Sequence, residues 1–255
     1  MIEVLVLGSG TSNGVPILGV EYPDAFLAEP KNHRTRPSIL LKGPTGNLLV
    51  DCTPDMRLQL LREGIRDVHG ALITHTHADH IMGMDDLRAF SLKYKSAIPV
   101  YALPVHQETI QRIFPYAFQD FPPGIDVPRF QLLDVEDAFS FGGMDIRTFT
   151  VMHGKMPCTA LRVGDFAYVT DVSEIPSEAM AQLGGLKTLI LDAVRYAPHP
   201  NHFHYERAIE VAQQIAAEQT WFTHLSHDYD HHKVNADLPT GIQLAYDGLR
   251  LPCFA

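Results

Sequence analysis

Cysteine is scarce in this chain. Cys52, Cys158 and Cys253 are the only three, odd in number and far apart. That spacing excludes a disulfide framework and a Cys-x-x-Cys zinc site, and leaves each as a small strand or core residue. Long apolar runs are missing too, and none reaches the length that spans a bilayer. The segment Met1-Ile2-Glu3-Val4-Leu5-Val6-Leu7 has no basic leader and no cleavage site; it reads as a first strand, and a cytoplasmic location is expected. Positive charge is in deficit, with a formal net charge of −10. Phosphate backbones are gripped by clustered Lys and Arg, so no extensive nucleic-acid surface is expected, and no membrane partner. A small phosphate-bearing substrate is still compatible, because bound divalent cations can dominate the local field.

What remains is ordinary for a folded globule: 45% apolar and 20% charged residues over 255 positions. That length suits one large α/β domain, or two halves sharing a core. Short Val-, Ile-, Leu-, Phe- and Thr-rich segments bounded by Gly, Pro or Asp predict strands. They fall at 2–7, 38–42, 47–51, 70–74, 98–101, 145–152, 158–163, 166–170, 187–192, 219–223 and 242–246. Helical spacing and end signals predict helices at 54–63, 83–91, 105–114, 176–183 and 205–218. Segment 115–129, with Pro115, Pro122, Pro123 and Pro128 among Phe118 and Phe121, reads as a long loop or a lid near a site. His231 and His232 read as surface residues.

The most informative stretch is Thr74-His75-Thr76-His77-Ala78-Asp79-His80, directly after the apolar run Ala71-Leu72-Ile73. A tight loop on a rigid strand end can aim these imidazoles and the carboxylate at one point. Nitrogen and carboxylate oxygen suit zinc; manganese and iron also fit.

The H-x-H-x-D-H signature resembles that of the metallo-β-lactamase superfamily of binuclear metallohydrolases. Later strand-like segments supply the rest of the pattern. Phe149–His153 ends in a His, Phe166–Asp171 in an Asp, and Trp221–His224 in a His. The resemblance covers the whole chain and implies a single 1–255 domain with the four-layer αβ/βα sandwich of that superfamily. It also implies two divalent ions, zinc or manganese with iron as an alternative. His75, His77 and His153 would hold one ion, Asp79, His80 and His224 the other, and Asp171 would bridge them. Asp51, ending another strand, is the candidate to receive an outward ring N–H of a ligand, or else caps the helix near Pro54. Asp192 raises the same question.

Further motifs narrow the resemblance to the cyclic-phosphodiesterase branch that includes PhnP. They are Gly8-Ser9-Gly10-Thr11-Ser12, Gly14-Val15-Pro16, Arg34-Thr35-Arg36-Pro37-Ser38, Asp51-Cys52-Thr53-Pro54-Asp55 and Ala245-Tyr246-Asp247-Gly248. In that branch the Asn201-His202 pair matches a general-acid His, and imidazole is suited to that task near neutral pH. His199 and His204 are weaker choices. Ser226 and His227, just after His224, are candidates for orienting substrate. One departure stands out: Val20, Tyr22 and Ala25 replace the cysteines that hold a third, structural zinc in many members. No third zinc is expected here, and packing of Tyr22 and Phe26 would hold the loop.

The expected function is a dinuclear metal-dependent phosphoric diester hydrolase acting on a small or cyclic phosphodiester. Metal-bound hydroxide would attack phosphorus, with Asp79 and His202 as the catalytic residues. The alternatives are a ribonuclease Z-like RNA endonuclease and a non-catalytic metal-dependent binding or sensing protein. The sequence leaves a homodimer open.

Overall fold

The computed structural model describes residues 2–122 and 124–253. Two sheets of seven strands face each other. The first contains β1 (Ile2–Gly8), β2 (Ser38–Lys42), β3 (Asn47–Val50), β4 (Gly70–Leu72), β5 (Ile98–Ala102) and β6 (Phe130–Asp134). The second runs from β7 (Ala138–Phe141) through β8 (Met144–His153), β9 (Met156–Val163), β10 (Phe166–Val169), β11 (Thr188–Asp192) and β12 (Gln219–Thr223) to β13 (Ile242–Leu244). The last strand, β14 (Arg250–Cys253), returns to the first sheet and pairs with β1.

Alternation along each strand sorts its side chains into layers. On β1, Val4 and Val6 point between the sheets, where they join Leu41, Leu48, Leu161, Tyr168 and Ile190. Leu5 and Leu7 point outward to a second apolar cluster with Met56, Leu60, Phe90 and Ile110. The outer face of the other sheet carries Leu189 and Leu191 against Ala208, Val211 and Ile215. With both faces covered, the central strands read as nearly continuous apolar runs, as buried sheets do. Helices α1 (Asp24–Leu27), α2 (Met56–Arg62), α3 (Ala78–Ile81), α4 (Arg88–Tyr94), α5 (Pro104–Ile113), α6 (Ser177–Met180), α7 (Tyr205–Ile215) and α8 (His231–Asp237) complete the αβ/βα sandwich. Among the described residues no helix is long and apolar enough to cross a membrane.

Strand direction positions the site. β3, β4 and β5 are parallel neighbours, and so are β10, β11, β12 and β13. β8 reaches β10 through two antiparallel pairings, so it runs the same way as β10. Their carboxyl ends therefore share one edge of the sandwich, where ligands of open α/β sheets bind.

The structure differs from the sequence reading in several places. Strands β6, β7 and β14 and helices α1, α3 and α8 were not expected. The motif after β4 is not all loop, since α3 gives Asp79 and His80 one helical turn. Segment 115–129, whose Pro123 lies outside the described residues, is the expected loop over 119–129, and its first turn packs into the outer layer. Phe114 and Ala117 are buried in it, Phe118 meets Phe130 edge-on, and the Tyr116 hydroxyl donates to Asp85. These contacts hold the start of the loop against the start of β6. His231 is not a surface residue. It is buried at the start of α8, where its backbone N–H donates to Asn32 and its ring meets Tyr246. Burial lowers its pKa to about 4, helped by nearby Lys31 and Arg34. His232 is exposed and pairs with Glu29.

Candidate metal centre

The shared edge gathers residues far apart in the chain. His75, His77 and His153 form one cluster, and Asp79, His80 and His224 form another. In each, the ligand atoms lie within 4.8 Å of one another. Asp171 stands between them. One of its oxygens lies 3.2 Å from His224 Nε2 and 3.9 Å from His75 Nε2, and the other lies 3.4 Å from His80 Nε2.

Hydrogen bonds fix which ring nitrogen faces inward. The Thr74 hydroxyl spends its single proton on Asp51 at 2.8 Å, so at 3.1 Å it can only accept from His75 Nδ1. His75 Nε2 is left with a lone pair. His153 Nδ1 donates to the Asn201 carbonyl at 2.7 Å, which leaves its Nε2 a lone pair as well. Both lone pairs point at His77 Nδ1, from 3.0 and 3.2 Å. One proton on His77 cannot satisfy both, whereas a cation among the three nitrogens can. In the second cluster His80 Nε2 and His224 Nε2 are buried without a hydrogen-bond partner. Buried polar atoms are rarely left so, and a metal ligand is a standard reason. The donor set fits divalent ions of the zinc and manganese kind.

Electrostatics agree. Burial holds His75, His77 and His153 below the ordinary imidazole value. Burial acts the same way on His80 and His224 but is outweighed there by Asp171, with Asp51 beside one ring and Asp79 beside the other. Protons are drawn onto both, and His224 is pushed up to about 9. A cation would supply that positive charge in place of the protons.

The supporting shell is as specific. Asp51 accepts from the Thr74 backbone at 2.8 Å, from its hydroxyl, and from His80 Nδ1 at 2.7 Å. It orients a ligand ring in the manner usual for metal-bound histidine; it does not cap α2, whose N-cap is Asp55. Asp192 Oδ2 accepts from the Val172 backbone and from His202 Nδ1, at 3.0 and 2.8 Å. His202 is stacked on His224 at 4.7 Å and meets His153 edge-on at 4.5 Å. With Nδ1 committed to Asp192, its Nε2 is the free atom beside both clusters.

Asp51, Asp171 and His224 all take left-handed backbone, with φ of 65°, 53° and 59°. Lys95 and Ala216 do so at helix C-caps, where it is common. At the strand ends it turns the chain sharply, and such strain clusters at functional sites.

Other expected residues stand elsewhere. The Ser226 hydroxyl donates to Asp228, and the His227 ring lies edge-on to Tyr22; neither joins a ligand cluster. His199 Nδ1 accepts from the Asn201 backbone, and His204 is the N-cap of α7. Tyr22 stacks on Phe26 at 5.0 Å and accepts from the Ile17 backbone, so the loop lacking cysteines is held by packing. The branch motifs meet behind the site. Half-buried Asp247 accepts from the backbone and hydroxyl of both Ser9 and Thr35, and from Arg62. That brace is structural.

Fold and site together define a metallo-β-lactamase-fold hydrolase domain. The chain belongs to the β-lactamase superfamily: residues 46–225 match the family model described as the beta-lactamase superfamily domain. An octanoyltransferase of Porphyromonas gingivalis (strain ATCC BAA-308 / W83) is 34% identical over 254 residues, covering 97% of this chain and 51% of that protein. The chain thus spans about half the length of this relative. A crystal structure of a new diphosphatase from the PhnP family matches with a TM-score of 0.91 and 38% identity, over 99% of this chain and 98% of that one. Ribonuclease Z of Methanopyrus kandleri is 22% identical over 242 residues, covering 80% of this chain and 85% of that protein.

Proposed function

We propose that the chain is a dinuclear metal-dependent hydrolase of small phosphodiesters, cyclic esters and diphosphates included. The observation that carries this reading is the pair of ligand clusters joined by Asp171, with His202 held against both by Asp192. His75, His77 and His153 would hold one ion, and Asp79, His80 and His224 the other. When bound, such ions supply Lewis acidity to a phosphoryl oxygen and activate water at neutral pH. The chain's own groups do the rest. Asp192 holds the His202 Nδ1–H, so that in the doubly protonated ring Nε2 is the atom that can pass its proton to a leaving oxygen. The likeness to a PhnP-family diphosphatase supports phosphorus chemistry. The net charge of −10 speaks against a long RNA substrate.

Turnover of a bis-aryl phosphodiester tests the reading. It should vanish with a chelator and return with zinc or manganese, and elemental analysis should give two ions per chain. Chelator-resistant turnover would refute it; a third, thiolate-bound zinc would refute the packing role of Tyr22 and Phe26.

A cavity of about 630 Å³ opens over His77 and His153, lined by Gly154, Lys155, Met156, Pro200 and Asn201. That is the volume of a small-molecule site. Lys155 is exposed and makes no ion pair among the described residues, which leaves its charge for an anionic arm of the substrate. Lys155→Ala should raise KM roughly fivefold for a diester carrying a second negative group, near the upper end for an exposed ion pair, with kcat unchanged. An equal rise for a diester without that group would discard this role.

A further inference from the structure

His106 belongs to neither ligand cluster, yet it is 2% exposed and lies against the metal-site loop. It sits in the first turns of α5, and both ring nitrogens are engaged. Nε2 is 2.8 Å from the Pro157 carbonyl, which can only accept, so the proton is on Nε2. Nδ1 is then an acceptor, and the Thr76 hydroxyl donates to it at 3.3 Å.

The two partners matter because of where they lie. Thr76 is the residue between His75 and His77. Pro157 is on β9, paired across the hairpin with Met152, and the next pair in the ladder is His153 with Met156. His77 and His153 come from different sheets, and their ring nitrogens stand 3.2 Å apart. Nothing in the backbone of either sheet alone sets that distance. The neighbouring Thr159 N–H to Thr74 carbonyl bond, at 2.9 Å, ties the same seam one step further in. His106 ties it at the level of the rings.

We propose that His106 is a positioning residue that clamps the His75–His77 loop to the β8–β9 hairpin and so sets the affinity of the ion held by His75, His77 and His153. The ligands of the second ion, Asp79, His80 and His224, make no hydrogen bond with His106. This rests on the two-ion reading and not on the identity of the substrate.

The test is cobalt(II) titration of the apoprotein, followed by calorimetry and by the visible ligand-field bands. Wild type should take up two ions; fewer would overturn the two-ion reading itself, and the clamp with it. In His106→Ala one dissociation constant should rise about 10- to 100-fold, the usual cost of losing an outer partner of a metal site, while the other holds. His106→Gln should restore most of the loss, because its amide can donate to Pro157 while its oxygen accepts from Thr76. His224→Ala, which removes a ligand of the second cluster, should weaken the opposite step, which assigns each constant to its cluster. Because a buried His→Ala can unfold a chain, Thr76→Val provides a second route: it removes only the hydroxyl and should weaken the same ion as His106→Ala. Unchanged constants in His106→Ala and Thr76→Val, or an equal loss of both ions without rescue by glutamine, would overturn the proposal.

Discussion

Asp171→Ala should leave a folded chain that no longer holds two ions and has no measurable turnover. Among the described residues Asp171 is the carboxylate whose two oxygens reach toward both clusters, and it is buried. Two cations a few ångströms apart repel, and only an anion between them offsets that. Its carboxyl is held well below the usual range: burial opposes ionisation, but His224 and His80 beside it win. Asp171→Asn keeps the shape and removes the charge, so it should fail in the same way if charge is the reason. Elemental analysis with circular dichroism as the folding control decides. Two retained ions with wild-type turnover would remove Asp171 from the bridge.

His202→Ala separates catalysis from metal binding. The ring is not needed to complete either cluster, so both ions should stay. Loss of a general acid costs about 10²–10⁴-fold in rate. The loss should be largest for alkoxide leaving groups, which need a proton, and small for nitrophenolate, which does not. Asp192→Asn should share the defect in part, because a neutral amide carries no charge to pair with the doubly protonated ring that delivers the proton. A uniform slowing that appears only in KM would make His202 a phosphate contact instead. Wild-type rates on both kinds of diester would end the general-acid role.

The metal-site motif was legible because its chemistry is local. H-x-H-x-D-H stands in one run, and His153, Asp171 and His224 each follow an apolar strand. The central strands were legible for a similar reason: burial on both faces makes them continuous apolar runs. Three of the four edge strands were not. β6, β7 and β14 are the outermost members of their sheets and are partly exposed, which breaks their apolar runs. The supporting contacts were illegible in another way. Asp51 could equally have capped a helix; what decides is His80, brought within 2.7 Å across a fold that no local pattern encodes. Asp192 beside His202 and His106 between Thr76 and Pro157 are of the same kind. His231 misled because a His-His pair after Asp230 looks solvated, while α8 turns one ring inward and the other out.

The left-handed corners at Asp51, Asp171 and His224 tie the protein's lifetime to its metal supply. Each such corner at a non-glycine residue costs on the order of 1–3 kcal/mol. Together they weigh on folding by several kcal/mol, against a net stability of about 5–15 kcal/mol for an ordinary domain. That cost is met when the chain folds, so an arriving ion finds its ligands aimed and loses little to rearrangement. Occupancy then returns the stability by mass action, about 2.7 kcal/mol at a hundredfold excess over Kd. If the two clusters hold divalent ions as proposed, a cell short of them would lose the enzyme twice, first as activity and then as abundance, since the ion-free chains are the ones that open most readily to proteases.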